Sequence, residues 1–283
     1  MTKILALVDG SIYSESVCHH TAWIAGRLHA AVDVVHVLGR REGLARQDLS
    51  GSLRLGARTA LLQELAAADA ERARLAQAKG RAILEDAQAI LEADGVGPVT
   101  AHLRKGDLLA VVREAEPDMR AIVIGKRGEG ADFAAGHAGS NLERIVRASK
   151  TPVFVASRAF KPIEKVLVAY DASASARIAI ERMSRSAVFS GLGATLLHIG
   201  TGTAEMRVKL EEAAAILAAA GLDVDTRIED GGPEEVLARV VGADGFDLLV
   251  MGAYGHGRVR SLVIGSTTTA MVQAARIPLL LYR

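Results

Sequence analysis

The sequence predicts an α/β fold of two tandem, doubly wound, five-stranded parallel-sheet domains related by a pseudo-twofold axis. Three observations carry this expectation. The first is an internal repeat. Asp9 and Asp171 stand 162 positions apart, and so do His36 and His198. Further along, the displacement is 126: Leu84-Glu-Asp-Ala-Gln-Ala-Ile-Leu91 lies over Leu210-Glu-Glu-Ala-Ala-Ala-Ile-Leu217, Gly95 over Gly221, Gly106 over Gly232, Gly139 over Gly265 and Pro152 over Pro278. Such constancy marks a duplication whose first copy carries about 36 extra residues between positions 40 and 83. The second observation is that apolar strand-like runs alternate with helix-like runs in each copy, the pattern of a parallel sheet covered on both faces. The third is size: 283 residues, 50% of them hydrophobic, suit two domains and two cores.

In the first copy, strands are expected near 3–9, 32–38, 98–104, 120–125 and 152–156, with helices near 12–29, 57–93, 107–116 and 139–149. Val17, Thr21, Ile24 and Leu28 have the spacing that turns one helical face towards a sheet. The second copy repeats the plan, with strands near 164–170, 194–199, 223–229, 246–251 and 278–282. Ser157-Arg-Ala-Phe-Lys-Pro162 reads as a short linker, dividing the chain into 1–157, with a helical insertion at about 40–82, and 163–283. In the insertion Leu62, Ala66, Ala70, Ala73, Ala76, Gly80, Ile83, Ala87 and Ile90 step by three or four and form one stripe of apolar and small residues. Gly80 weakens that helix by about 1 kcal/mol relative to Ala, enough for a bend. Residues 80–93 match the second copy and are expected to pack along their own domain. For 57–79 two readings stand, a packed helix and a lid or partner surface.

Composition narrows the function. The formal net charge is +1, with Lys and Arg spread along the chain, which argues against the concentrated basic face of a nucleic-acid binder. The single cysteine, Cys18, excludes an internal disulfide framework and falls on the apolar side of a helix, where it reads as a small core residue. No apolar run is long enough to span a membrane, and Met-Thr-Lys leads straight into a core strand. A soluble, cytoplasmic protein is expected.

The most telling segment is Gly252-Ala-Tyr-Gly255, nine residues, then Gly265-Ser266-Thr267, between the strand-like run 246–251 and a helix. Glycines at a strand end let the backbone turn tightly and approach a ligand. A Gly-Ser-Thr opening a helix puts hydroxyls and unpaired N–H groups at its positive end, where a phosphate sits favourably. The plainer alternative is an ordinary strand–turn–helix connection. In a doubly wound sheet, ligands bind at the strand carboxyl ends, so Asp171 and Gly252 are expected to converge.

The G-x-x-G-(nine)-G-[ST] spacing resembles the ATP-binding motif of the universal stress protein family. The strands ending at Asp9 and Asp171, the His36-Val37 and His198-Ile199 strand ends, and the prolines Pro152 and Pro278 extend the resemblance over essentially the whole chain, twice. It implies a Rossmann-like fold that binds ATP with Mg²⁺. Asp171 would lie near the adenosine, the backbone around Ile199 would meet the adenine, and Gly252, Gly255, Gly265, Ser266 and Thr267 would hold the phosphates. Single-copy members pair through their last strands, so the fused duplicate is expected to make that contact within one chain, and a homodimer of the two-domain chain stays open. His256, Arg258 and Arg260 would either neutralise phosphate or remain solvated loop charges. His36 and His198 read best as strand-end imidazoles bonded to backbone.

The first copy departs from the motif. Ten residues separate Gly125-Lys-Arg-Gly128 from Gly139-Ser140-Asn141, and Glu129 and Asp132 bring negative charge to the loop. Asp9, Val37, Gly125, Gly128, Gly139 and Ser140 therefore form a weaker second site, and binding is expected mainly in the second copy. No P-loop, G-x-G-x-x-G after the first strand, nucleophile elbow, His-Glu-x-x-His or Cys-x-x-Cys occurs. The expected function is a regulatory, stress-response nucleotide binder with at most slow ATP hydrolysis. The alternatives are a structural or interaction protein of the same fold and a dedicated ATPase.

Overall fold

A computed structural model describes residues 2–39, 55–128, 140–253 and 266–283, with the side chains of 55–61 and 140 left aside. The first half runs β1 (Lys3–Leu7), α1 (Ser14–Leu28), β2 (Ala31–Leu38), α2 (Leu55–Ala93), β3 (Val99–Lys105), α3 (Leu108–Ala115), β4 (Met119–Gly125), α4 (Ser140–Ala148) and β5 (Val153–Ala156). The second runs β6 (Lys165–Ala169), α5 (Ala174–Ser184), β7 (Gly193–Ile199), α6 (Ala204–Ala219), β8 (Asp223–Glu229), α7 (Pro233–Ala243), β9 (Leu248–Gly252), α8 (Ser266–Ala274) and β10 (Leu279–Tyr282).

The strands among the described residues form one ten-stranded sheet of order β3-β2-β1-β4-β5-β10-β9-β6-β7-β8. Within each half the strands are parallel, and β5 and β10 join the halves as an antiparallel pair: Val153 faces Leu281, Phe154 faces Leu280 and Val155 faces Leu279. Both strands are buried throughout, so neither half exposes an apolar edge there. The expected contact between last strands is present.

The two cores divide by face of the sheet and not by half of the chain. Strand side chains alternate between faces, so Ile4 and Ala6 pack with α1 and α2 while Leu5 and Leu7 face the α3 and α4 side. One core contains Val17, Leu84 and Phe154 of the first half with Val166, Ile180 and Leu217 of the second. The other joins Val112 and Ile145 to Leu237 and Met271. Each core is thus continuous through the β5–β10 seam.

α2 is a single 39-residue helix, roughly 58 Å long at 1.5 Å per residue. Its C-terminal part is packed: Leu84, Ala87 and Leu91 are buried. Gly80 is explained by close approach. A Cβ there would stand 2.7 Å from Leu103 Cδ1 and 2.9 Å from His36 Cδ2, on β3 and β2. From Leu62 to Lys79 the described side chains are mostly exposed, including Leu62 and Leu75. Cys18 is buried, and burial pushes its thiol up to about 12, as a core residue should behave. No helix among the described residues is long and apolar enough to cross a membrane.

Candidate functional site

The carboxyl ends of β6 and β9 lie side by side, with Ala169 paired to Met251. This brings the turn Tyr170-Asp171-Ala172-Ser173 beside Gly252, so the expected convergence of Asp171 and Gly252 is seen. Asp171 Oδ1 accepts the Ser173 N–H at 2.9 Å, and Ser173 Oγ in turn accepts the Ala176 N–H at 3.2 Å as N-cap of α5. Ala172 between them has φ 58°, a left-handed conformation uncommon for a residue with a Cβ. The matching position in the first half is Gly10, with φ 77°.

Gly252 closes β9 against the start of α5. A Cβ there would stand 2.3 Å from Ser175 Oγ and 3.2 Å from the Ala176 amide nitrogen. Protein packing therefore demands this glycine, in addition to any ligand. Ser266 opens α8 and is exposed, and Thr267 beside it is half-buried. Thr268, which the motif does not mark, is buried, and its Oγ1 donates to the Gly252 carbonyl at 3.3 Å. This bond fastens the start of α8 to the end of β9. The only sequence signal for it was the third hydroxyl in the run Ser266 to Thr269. Gly255, Gly265, His256, Arg258 and Arg260 lie outside the described residues.

Ile199 ends β7 opposite Glu229. His198 Nδ1 is 3.1 Å from the Tyr170 carbonyl and His36 Nδ1 is 2.9 Å from that of Val8. A carbonyl only accepts, so each Nδ1 carries the proton. Both imidazoles tie neighbouring strand ends together and are buried, as the backbone-bonded reading expected. Beside Ile199 the Glu229 carboxylate pairs with Arg227 and Arg239. At the same register in the first half, opposite Val37, stands Arg104, paired with Glu114 at 3.4 Å. The halves thus carry the same strand–helix ion pair with its charges exchanged.

In the first half Gly125 packs on Tyr13, where a Cβ would lie 2.8 Å from Tyr13 Cβ. Asp9 Oδ1 accepts the Ser11 N–H at 3.0 Å, and a Cβ on Gly128 would stand 2.8 Å from Asp9 Oδ2. Ser11 Oγ reaches the Arg127 carbonyl at 3.5 Å. The turn after β4 therefore folds back on the β1–α1 turn, over the Asp9 carboxylate. Lys126, in the turn after β4, is buried and sends Nζ across the seam to the Ala275 carbonyl at 2.7 Å. Burial, then the charge of Arg127, lowers its ammonium to about 8. Ser140 opens α4, while Gly139, Glu129 and Asp132 fall outside the described residues.

The second-half arrangement places the start of α8 and the hydroxyl residues Ser266 and Thr267 at the strand end beside Gly252, and the positive end of a helix is where a phosphate sits favourably. Among the described residues no group of three His, Cys, Asp or Glu side chains is placed to hold a metal ion.

Comparison with known proteins agrees with this architecture. The model of the universal stress protein family matches residues 1–157 and 198–283. A universal stress protein of Synechocystis sp. is 34% identical over 287 residues, covering 100% of both chains. A universal stress protein structure from Archaeoglobus fulgidus superposes with a TM-score of 0.74 at 20% identity, covering 99% of this chain and 98% of the other. The family match and the Synechocystis relative decide the assignment, and the superposition supports the fold: the chain belongs to the universal stress protein family.

Proposed function

We propose that this chain binds an adenine nucleotide, ATP, mainly in its second half, and serves a regulatory, stress-response role. The observation that carries the reading is the meeting of three elements at one end of the sheet. The Asp171 turn lies beside Gly252, and Thr268 ties the start of α8 to the Gly252 carbonyl. Ser266 and Thr267 then stand at the start of α8, the positive end of the helix, where a phosphate is favoured. Asp171 and the backbone at Ile199 would hold the adenosine. Gly252, Gly255, Gly265, Ser266 and Thr267 would hold the phosphates. Mg²⁺ would be carried chiefly by the triphosphate oxygens, as it commonly is at nucleotide sites. The cytoplasm is the compartment that supplies ATP to such a site.

The first half, residues 1–157 in our division, serves mainly as a structural partner to residues 163–283. The turn that would meet phosphates at Gly125 and Gly128 lies over Asp9 instead. This same closure favours a second reading for that half, a fold-stabilising module without nucleotide. Denaturing the purified chain, identifying any released small molecule, and titrating the refolded chain with Mg-ATP by calorimetry tests both readings. The expected result is one ATP per chain. Absence of heat and of any released nucleotide would leave a structural protein of the same fold.

A further inference from the structure

α8 has no basic residue in its last turn, where the final carbonyls lack donors from within the helix. The cation that meets them comes from the other half of the chain. Lys126, in the turn leaving β4, is 8% exposed and donates from Nζ to the Ala275 carbonyl at 2.7 Å. Ala275 is itself buried, so this carbonyl depends on the protein for a partner. The relation is returned across the seam. Arg283 Nη1 donates to the carbonyls of Arg147 at 2.8 Å and Ala148 at 3.2 Å, at the end of α4. The two cations do not correspond in the repeat. The second-half residue after Gly252 is the buried Ala253, which has no charge to offer.

α8 is nine residues long, and a helix of that length takes its stability and its aim from what it packs on. Its buried face is Thr268, Met271 and Val272. Side-chain hydrogen bonds fix both ends among the described residues: Thr268 to the Gly252 and Ala253 carbonyls at the start, and Lys126 to the Ala275 carbonyl at the finish. The first belongs to the second half. The second reaches in from the first half, from the residues that would themselves form the phosphate turn of that half.

We propose that Lys126 is a positioning residue for the nucleotide site of the second half: it anchors the end of α8 and so sets the aim of Ser266 and Thr267 at the phosphates. The inference rests on the nucleotide reading above. It gives the first half a defined part in binding at the second and accounts for a lysine buried away from its own crevice.

The test uses the full chain, with ATP titration and amide hydrogen exchange read on the same variants. Lys126→Met should weaken ATP binding about five- to tenfold and speed exchange in 270–275. Lys126→Arg, which restores a cationic donor, should stay within about twofold of the parent. Arg283→Met should speed exchange at the end of α4 and leave ATP affinity within about twofold, which separates anchoring of α8 from general loosening of the seam. Lys126→Gln, a neutral donor, substitutes for the methionine variant if the latter does not fold, with the same expected direction. Unchanged affinity in the folded Lys126 variants, or an equal loss in Arg283→Met, overturns the proposal. A parent chain that binds no ATP overturns the nucleotide reading itself, and the role assigned to Lys126 with it.

Discussion

A Cβ on Gly252 would stand 2.3 Å from Ser175 Oγ and 2.9 Å from Ser175 Cβ, so the end of β9 and the first turn of α5 meet without room for a side chain. The glycine that looks like a ligand contact in the sequence is first a packing requirement. Gly252→Ala should therefore destabilise the fold by about 1–3 kcal/mol, the usual cost of overpacking. Ser175→Gly in the same chain should recover part of that loss, because the two substitutions share one contact. Denaturant unfolding of the two single variants and the double variant measures the coupling. Strict additivity would mean that the two residues do not compete for the same space.

Binding should depend on the second-half motif and not on its counterpart. Gly265→Val is expected to lower ATP affinity at least tenfold, about 1.4 kcal/mol, in a chain that still folds, because connecting segments as a class tolerate substitution better than the elements they join. Ser266→Ala should remove most binding, whereas Ser140→Ala should change it little. Calorimetric stoichiometry decides: two equivalent sites, or one that survives the loss of Ser266, would overturn the assignment of a single site to the second half.

His20 should give the protein an acid-sensitive core. Its ring is fully buried, Nδ1 is bonded to the Ser16 carbonyl at 2.7 Å, and Nε2 has no partner among the described residues. The ring packs on Phe154 and Phe160 at centroid distances of 5.2 and 5.0 Å. Burial lowers its pKa from 6.5 to about 4. Between those values the unfolded chain binds a proton that the folded chain refuses, so stability falls as pH drops. The loss reaches at most roughly 3 kcal/mol. His20→Leu should flatten the stability profile between about pH 6.5 and 4 relative to the parent. An unchanged slope would show that other groups carry the acid sensitivity.

The two halves should unfold together. Both cores run through the β5–β10 seam, where Phe154 is 1% exposed and opposite Leu280. Phe154→Ala is expected to cost about 3–5 kcal/mol and to lower one shared transition. Scanning calorimetry that resolved two separate transitions in the parent chain would show that the seam does not couple the halves.

Ala172 should be improvable. It holds φ 58° where the first half has Gly10, and a left-handed residue with a Cβ is strained by about 1–2 kcal/mol. Greater freedom of glycine in the unfolded chain offsets part of the relief. Ala172→Gly is thus expected to leave stability equal or raise it by up to about 1 kcal/mol, measured by denaturant midpoint. A clear loss would mean that the turn draws its shape from contacts of the Ala172 methyl.

Much of the architecture was legible because its signals are local or periodic. The strand at 31–38 declares itself by an apolar, β-branched run and that at 223–229 by Val224, Thr226 and Ile228 alternating with charged residues, and Asp9 and Asp171 mark the same turn because the repeat carries a whole structural unit. The backbone-bonded roles of His36 and His198 followed from their place at strand ends. Gly80 and Gly252 were visible as glycines, but their causes were not. One makes room for Leu103 and His36, the other for Ser175, and both neighbours are remote in sequence.

By itself the sequence determined the duplication, the order of elements and the family, since these depend on periodicity and on residue types at set spacings. Only the tertiary structure decided that Lys126 leaves its own crevice to reach Ala275, and that Arg104 and Glu229 exchange charge at one register. It also decided that each core belongs to a face of the sheet and not to a half of the chain. For Lys126 and for the shared cores the reason is the antiparallel seam between Phe154 and Leu280. Once it forms, side chains about 130–150 residues apart share one solvent-free space, and the partners available there are set by packing that no local pattern encodes.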